Sequence, residues 1–448
     1  LIVALALAPV SRSDEAPVNR PAKPRVAFRE FTLENGLRVI LSEDHAAPTY
    51  SICVTYNVGS RDERPGRTGF AHLFEHMMFQ GSANVGKGEH FILVLNNGGS
   101  ANGTTNAERT NYFQTLPANQ LELGIFLEAD RMRSLDVTQA NLDNQRHAVQ
   151  EERRLNYDNR PYGRTLEAVL EAAYDNFAYK HSTIGSMEDL NNATLEDARA
   201  FFRTYYAPNN AVLTLVGDFQ TDTALALIKK HFESIPAQAP PRPPDVGEPE
   251  QIAERRRSLE DSFAQAPRID AVYKTVPGNT HDWYALRALG HILAGDLSSR
   301  LYRKLVKELE LAVSVSGGPD ERRGTSLFWV SIVARPEKNL QEIEQLVYQE
   351  IERLKNEPVD DWELDKVRMK LRREQTQNLY STRSRANALG HYAVYYGEPD
   401  LINMVLDRIE RVKKADLQRV AGVFLKTANR TVVTTLPQSG VPAAPVAE

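Results

Sequence analysis

Apolar and polar residues alternate along FTLENGLRVILSED, and the alternation breaks once, at Asn35-Gly36. A period of two marks half-buried strands, and Asn-Gly between two such runs marks a hairpin. YSICVTYNVGS predicts a further strand, with Ile52, Val54, Tyr56 and Val58 on one face. The period then changes to that of a helix. GFAHLFEHMMFQGS closes at Gly81 and GKGEHFILVLNNGG at Gly98-Gly99, because glycine accepts the backbone conformation that ends a helix. SANGTTNAERTNYFQTL predicts a strand pair, and NQLELGIFLEADRMRSL and LDNQRHAVQEERRLNYD predict two long helices. NNATLEDARAFFRTYYAPNNAVLTLVGDF predicts a helix that leads into a strand.

The plan then recurs. RIDAVYKTV is a strand pattern and HDWYALRALGHILAG a helical one. Near the end, VKKADLQRVAGVFLKTANRTVVTTL repeats the helix-then-strand seen earlier, and one constant offset lays Asp197 on Asp416, Tyr205 on Phe424 and Asn210 on Asn429. Such self-similarity points to a duplication. Between the copies, AQAPPRPPDVGEPE is rich in proline and poor in apolar residues, as a linker is. The expected fold class is α+β, with two homologous halves, each an antiparallel-rich sheet with helices packed on one face. The expected boundaries are an N-terminal tail 1–25, a first half 26–236, a linker 237–265, a second half 266–436 and a Pro/Ala-rich tail 437–448.

Composition narrows the function classes. With 448 residues and 42% hydrophobic content the chain can bury two to three domains. A net charge of −5 with mixed signs leaves no basic footprint for nucleic acid. The single cysteine, Cys53, excludes an internal disulfide or a cysteine zinc cluster, and its setting is that of a small apolar strand residue. The opening LIVALALAPV is too short to span a bilayer and has the character of a signal-peptide core, with Ala6-Leu7-Ala8 as a small-residue cleavage pattern that Pro9 disfavours. Export to the periplasm or exterior is the expectation. The basic ERRRS after the linker reads as a solvated face.

The candidate chemistry lies in His72-Leu-Phe-Glu-His76. Residues four apart share one helix face, so both imidazoles can reach one ion, while Glu75 borders that face and can reach a bound water. Phe70, Ala71, Leu73, Phe74, Met77, Met78 and Phe79 surround the trio, which makes the helix largely buried. Buried histidines and a carboxylate without partners are costly, and a metal is the economical partner. Zinc takes imidazole nitrogen and carboxylate oxygen in a tetrahedral shell, so a third ligand is needed. QRHAVQEERR offers Glu151 and Glu152, which point about 100° apart on a helix; spacing alone does not choose between them. In the second copy His291 falls on His76, Arg287 on His72 and Gly290 on Glu75. The duplicated helix therefore does not itself require the trio.

The motif His72-x-x-Glu75-His76 matches that of the inverzincins. From about 26 to 435 the chain resembles the insulinase/pitrilysin family of zinc metallopeptidases. It is most similar to the shorter members, such as mitochondrial processing peptidase and its bacterial relatives. GGSANGTTNAERTNYF and YYAPNNAVLTLVGD share in the resemblance. It implies one Zn²⁺ per chain and a third ligand in an Arg-x-x-Val-x-x-Glu helix about 75 residues on. Arg146, Val149 and Glu152 fit that pattern, so the resemblance selects Glu152. Where the family often carries a further acid two turns earlier, this chain has Gln145.

The resemblance implies hydrolysis of extended peptides, with Glu75 as general acid–base and Asn102, Gly103 and nearby backbone pairing with substrate by strand addition. Phe79 is a candidate for a side-chain pocket, with core packing the alternative reading. Catalytic members also carry an arginine and a tyrosine seven residues apart in the second half; here those positions hold Val306 and Val313, which donate no hydrogen bond. The resemblance thus implies a related subunit, in a heterodimer, that supplies the missing pair. A homodimer drawing on Arg300, Arg303 or Lys307, and a non-proteolytic assembly subunit, are the rival expectations.

Overall fold

The computed structural model describes residues 23–438. In the first half the strands are β1 Arg29–Thr32, β2 Arg38–Glu43, β3 Thr49–Tyr56, β4 Ser100–Thr105, β5 Thr110–Pro117 and β6 Ala211–Gly217. Its helices are α1 Phe70–Met77, α2 Glu89–Asn96, α3 Leu121–Ser134, α4 Gln139–Arg153, α5 Thr165–Ala173, α6 Met187–Asn191, α7 Leu195–Tyr205 and α8 Thr221–Phe232. In the second half the strands are β7 Arg255–Asp261, β8 Arg268–Lys274, β9 Ala312–Pro319, β10 Leu327–Ala334 and β11 Arg430–Pro437. Its helices are α9 His281–Leu293, α10 Arg300–Tyr302, α11 Leu340–Asn356, α12 Asp361–Asn378, α13 Thr382–Tyr396, α14 Leu401–Arg411 and α15 Lys414–Phe424. No helix among these is long and apolar enough to cross a membrane.

The strands form two mixed sheets that repeat one another. The first has the order β1-β2-β6-β3-β5-β4 and the second β7-β11-β8-β10-β9. One pair in each is parallel, β2 with β6 and β7 with β11, and the rest are antiparallel. Apart from β1, the two orders coincide element for element. The β1–β2 hairpin turns at Gly36, whose φ of +84° is left-handed, as Asn35-Gly36 predicts.

The duplication extends to single hydrogen bonds. Asp197 and Asp416 each sit at the third position of a helix and accept from the N-cap backbone N–H, that of Thr194 at 3.4 Å and that of Lys413 at 2.9 Å. Asn210 Nδ2 donates to Tyr205 O at 2.8 Å, and Asn429 Nδ2 to Phe424 O at 2.7 Å. In both copies the amide spans the corner between helix and strand and satisfies a carbonyl that the helix end leaves free.

Each half lays most of its helices on one face of its sheet, where Leu73, Phe74, Met77, Leu127, Leu142 and Ile228 join the first core. The opposite face is covered by a helix from the other half. α13 packs on β3 and β6 through Ala386, Leu389 and Ala393 against Cys53, Val212 and Val216. α5 packs on the second sheet through Val169 and Ala173 against Val272, Leu327 and Val433. Cys53 is buried in this packing, which pushes its thiol up to about 11 and leaves it an apolar strand residue, as read from the sequence. Buried Glu108 ties the halves further: it accepts from Arg61 Nη1 and Tyr179 Oη, each at 2.6 Å, and from Arg323 N at 3.0 Å.

Of the stretch expected as linker, 237–265, residues 237–254 and 262–265 are free of helix and strand. Arg255–Asp261 forms the edge strand β7 instead. Its charged residues hide it from a search for apolar alternation, and they suit an edge, where charge blocks pairing with other chains. Arg255 pairs with Asp175 at 2.6 Å, Arg256 with Glu344 and Arg257 with Glu171. Most of the two expected tails, 1–25 and 437–448, and the apolar run LIVALALAPV, lie outside the described residues.

Candidate metal centre

Helix α1 begins where Gly69 takes a left-handed φ of +86°. A Cβ there would lie 2.7 Å from Ile184 O, so only glycine fits. The first N–H groups of a helix lack intrahelical partners. Here the buried Glu63 supplies two, accepting from Gly69 N at 2.9 Å and Ala71 N at 2.8 Å. From that start, Leu73, Phe74 and Met77 enter the core, and His72 and His76 face α4 from one side of the helix.

Helix α4 is set by two arginines, two turns apart. Arg146 Nη2 donates to Ala193 O at 2.6 Å. Arg153 Nη1 donates to Glu167 Oε1 at 2.7 Å and Gly185 O at 2.6 Å. This rotation turns Glu152 towards α1 and Glu151 outward, where it pairs with Arg154. Glu152 Oε2 lies 3.5 Å from His72 Nε2 and 3.3 Å from His76 Nε2, and the two nitrogens are 3.3 Å apart. Zinc with bonds of roughly 2.0–2.1 Å to nitrogen and oxygen separates tetrahedral ligand atoms by roughly 3.3–3.4 Å. The three atoms thus have the edges of one face of such a shell. Among the described residues this is the one cluster of three His, Cys, Asp or Glu ligand atoms with such spacing.

The protonation states suit a cation. Burial, and then the charge of His76, push His72 down to about 4, so its imidazole is neutral and carries a lone pair at neutral pH. The hydrogen bond with His76 holds Glu152 below the ordinary carboxylate range. Glu75 moves the other way: burial raises it, against a lowering by the Thr105 hydroxyl. Thr105 Oγ1 donates to Glu75 Oε2 at 2.6 Å. Opposite on β4, Gly103 leaves room for the carboxylate; a Cβ there would lie 3.0 Å from Glu75 Cγ. The structure therefore brings His72, His76, Glu152, Glu75 and Gly103 together.

The other residues singled out in the sequence divide. β4 is the edge strand of the first sheet, with Asn102 exposed on it and its Oδ1 accepting from Gly103 N at 2.8 Å. Phe79 packs into the first core. It is 8% exposed and stacks on Phe91, ring centroids 4.4 Å apart, with the Arg131 guanidinium over its ring. The chain turns inward after α1, which places this aromatic in the core. Gln145 donates to Asn144 Oδ1. Val306 packs on the second core and Val313 is exposed. Arg300 is fully engaged with Glu350 and Glu363, at 3.0 and 2.6 Å. Arg303 lies 3.8 Å from Glu308, and Lys307 lies over the Tyr302 ring. Two contributors escape the sequence reading. Glu63 precedes the motif with no spacing rule to mark it, whereas Thr105 is detectable as the residue two beyond Gly103, on the same face of a strand.

Known proteins resemble this chain over most of its length. Residues 38–187 match the family model described as Insulinase (Peptidase family M16), and residues 192–371 that described as Peptidase M16 inactive domain. The chain is 31% identical to the zinc protease PqqE of Helicobacter pylori over 414 residues, 91% of this chain and 92% of that one. The crystal structure of a protease from Helicobacter pylori superposes with a TM-score of 0.89 at 29% identity, covering 92% of this chain and 100% of that one. The periplasmic protease PqqL from Escherichia coli shares the fold, with a TM-score of 0.76 at 19% identity, and the match covers 94% of this chain but 49% of that one.

Proposed function

Because the chain belongs to the insulinase family, peptidase family M16, we propose that it is a zinc-dependent peptidase whose metal is held by His72, His76 and Glu152. The observation that carries this reading is the triangle of two imidazole nitrogens and one carboxylate oxygen, with edges of 3.3–3.5 Å. Zinc held there supplies Lewis-acid polarisation of a peptide carbonyl and a water made acidic near neutral pH.

The chain's own groups do the rest. Glu75 accepts the water proton at Oε1, since Oε2 is engaged by Thr105, and passes it to the leaving amine. Its raised proton affinity suits a group that must first take and then give a proton. The edge strand β4 pairs with an extended peptide, with Asn102 and Gly103 in the pairing segment. The arginine and tyrosine that the family resemblance implies as oxyanion donors are replaced here by Val306 and Val313, and nearby Arg300 is tied to two glutamates. Loss of one such donor costs roughly 10²–10³ in rate. A related subunit completes the site. The half-length match to the Escherichia coli protease supports a second unit of the same architecture.

The test is cleavage of an unstructured peptide by the purified zinc-loaded chain, alone and with a related subunit. Slow cleavage alone and a rise of 10²-fold or more with the subunit are expected. Full activity of the monomer alone rejects the partner. Two other readings draw on the valines: a homodimer, which size-exclusion chromatography identifies, and a non-proteolytic assembly subunit. Glu75→Gln separates the last from an enzyme, since it abolishes cleavage with metal retained only if the chain is catalytic.

A further inference from the structure

The second half keeps more of the metal site than its sequence suggests. Arg287 and His291 are four apart on α9, as His72 and His76 are on α1. α12 corresponds to α4: Glu152 lies fourteen positions after the N-cap Thr138, and Glu374 fourteen after the N-cap Asp360. Glu374 faces α9 as Glu152 faces α1. Its Oε2 is 3.3 Å from Arg287 Nη2 and 3.9 Å from His291 Nε2. One carboxylate oxygen thus meets the same two helix positions in both halves.

The absence of a base there is also structural. Gly290 stands in the place of Glu75, and Gly318 on β9 in that of Gly103, each pair offset by 215 positions. A Cβ on Gly290 would lie 2.6 Å from Gly318 Cα, so helix and edge strand pack too closely for any side chain. Arg287 and His291 nonetheless line a cavity of about 800 Å³ between the halves, shared with Thr104 and Asn111 of the first sheet, which gives an ion access.

We infer that the second half contains a closed metal site, formed by position 287, His291 and Glu374, in which the Arg287 guanidinium takes the place of a divalent cation such as zinc. The guanidinium neutralises Glu374 as a metal would, and its planar body rests against Trp283, 5.7 Å from the ring centroid. Replacing it with imidazole removes the resident charge and supplies the missing ligand atom.

The inference builds on the reading of His72, His76 and Glu152 as a metal centre, but its test is separate. Arg287→His is made in the parent chain and in a His72→Ala/His76→Ala background, loaded with zinc, dialysed and assayed for metal per chain. One additional zinc is expected in each case, lost again when Glu374→Ala is added, and the difference from each background reads the second site whichever way the first behaves. Cobalt substitution should give the intense visible bands of a tetrahedral ion. A folded Arg287→His chain with unchanged metal content, or an additional ion that survives Glu374→Ala, overturns the inference. The resident cation is tested without any new ligand: Arg287→Lys should keep the parent's unfolding midpoint and Arg287→Met should lower it by roughly 2–4 °C, and equal midpoints for the two contradict it.

Discussion

Thr105 on the edge strand β4 donates its hydroxyl hydrogen to Glu75 on α1 at 2.6 Å, across the gap that Gly103 leaves open. The strand that would carry substrate and the group that would move the proton are thereby held in one register. Thr105→Val keeps the shape and removes the donor. Cleavage should fall about tenfold, the net worth of one hydrogen bond to a charged group, with zinc content unchanged. The bond lowers the Glu75 proton affinity, so its loss should move the acid limb of the kcat/KM profile to higher pH. Thr105→Ser should restore both readouts.

Glu63 is a structural counterpart of that contact. It caps α1 through Gly69 N and Ala71 N, and removal of both acceptor oxygens leaves two buried donors unpaired. Glu63→Ala should destabilise the first half by roughly 2–4 kcal/mol, read as a lower denaturant midpoint. Zinc added in excess should recover part of the loss, because an ion that binds only the folded helix pair stabilises it.

Asp62 gives a pH signature of the opposite sign to an ordinary surface carboxylate. Burial pushes it up to about 6, despite the Arg61 charge and the Gly59 N–H that favour ionisation. An unfolded aspartate titrates near roughly 3.9. Between those values the folded chain holds more protons than the unfolded one, so this group's contribution is full below about pH 4 and is lost as pH rises through about 6. Parent and Asp62→Asn should differ in stability by an amount that changes across that window and is constant above it, on the order of 3 kcal/mol in all. A difference independent of pH contradicts the buried, protonated aspartate.

The strands and helices around the motif, and the helix-then-strand pairs that recur in both halves, were legible because their periods are local, whereas the charged edge strand β7 was read as linker; the duplication was legible because Asn210 and Asn429 perform one corner bond. His72, Glu75 and His76 were legible because five consecutive residues of one helix fix their geometry. Glu152 was not separable from Glu151 by spacing, since the rotation of α4 is set by Arg153 reaching Glu167 and Gly185, contacts far away in the chain. Sequence left Phe79 between pocket and core because it abuts the motif, and the turn after α1, which stacks it on Phe91, is not a local pattern. The reciprocal covering of the sheets by α5 and α13 was hidden too: amphipathicity says that a helix has an apolar face, not which sheet receives it. Glu374 was hidden for the same reason as Glu152.

The most direct measurement is metal content in three forms of the purified chain, the parent, Glu152→Gln and Glu151→Gln, after zinc loading and dialysis. One zinc per chain is expected in the parent and in Glu151→Gln, with affinity in Glu152→Gln reduced by more than the roughly 10–100-fold that outer-shell changes cost. Equal zinc retention by the parent and Glu152→Gln would contradict the metal centre on which the peptidase reading stands.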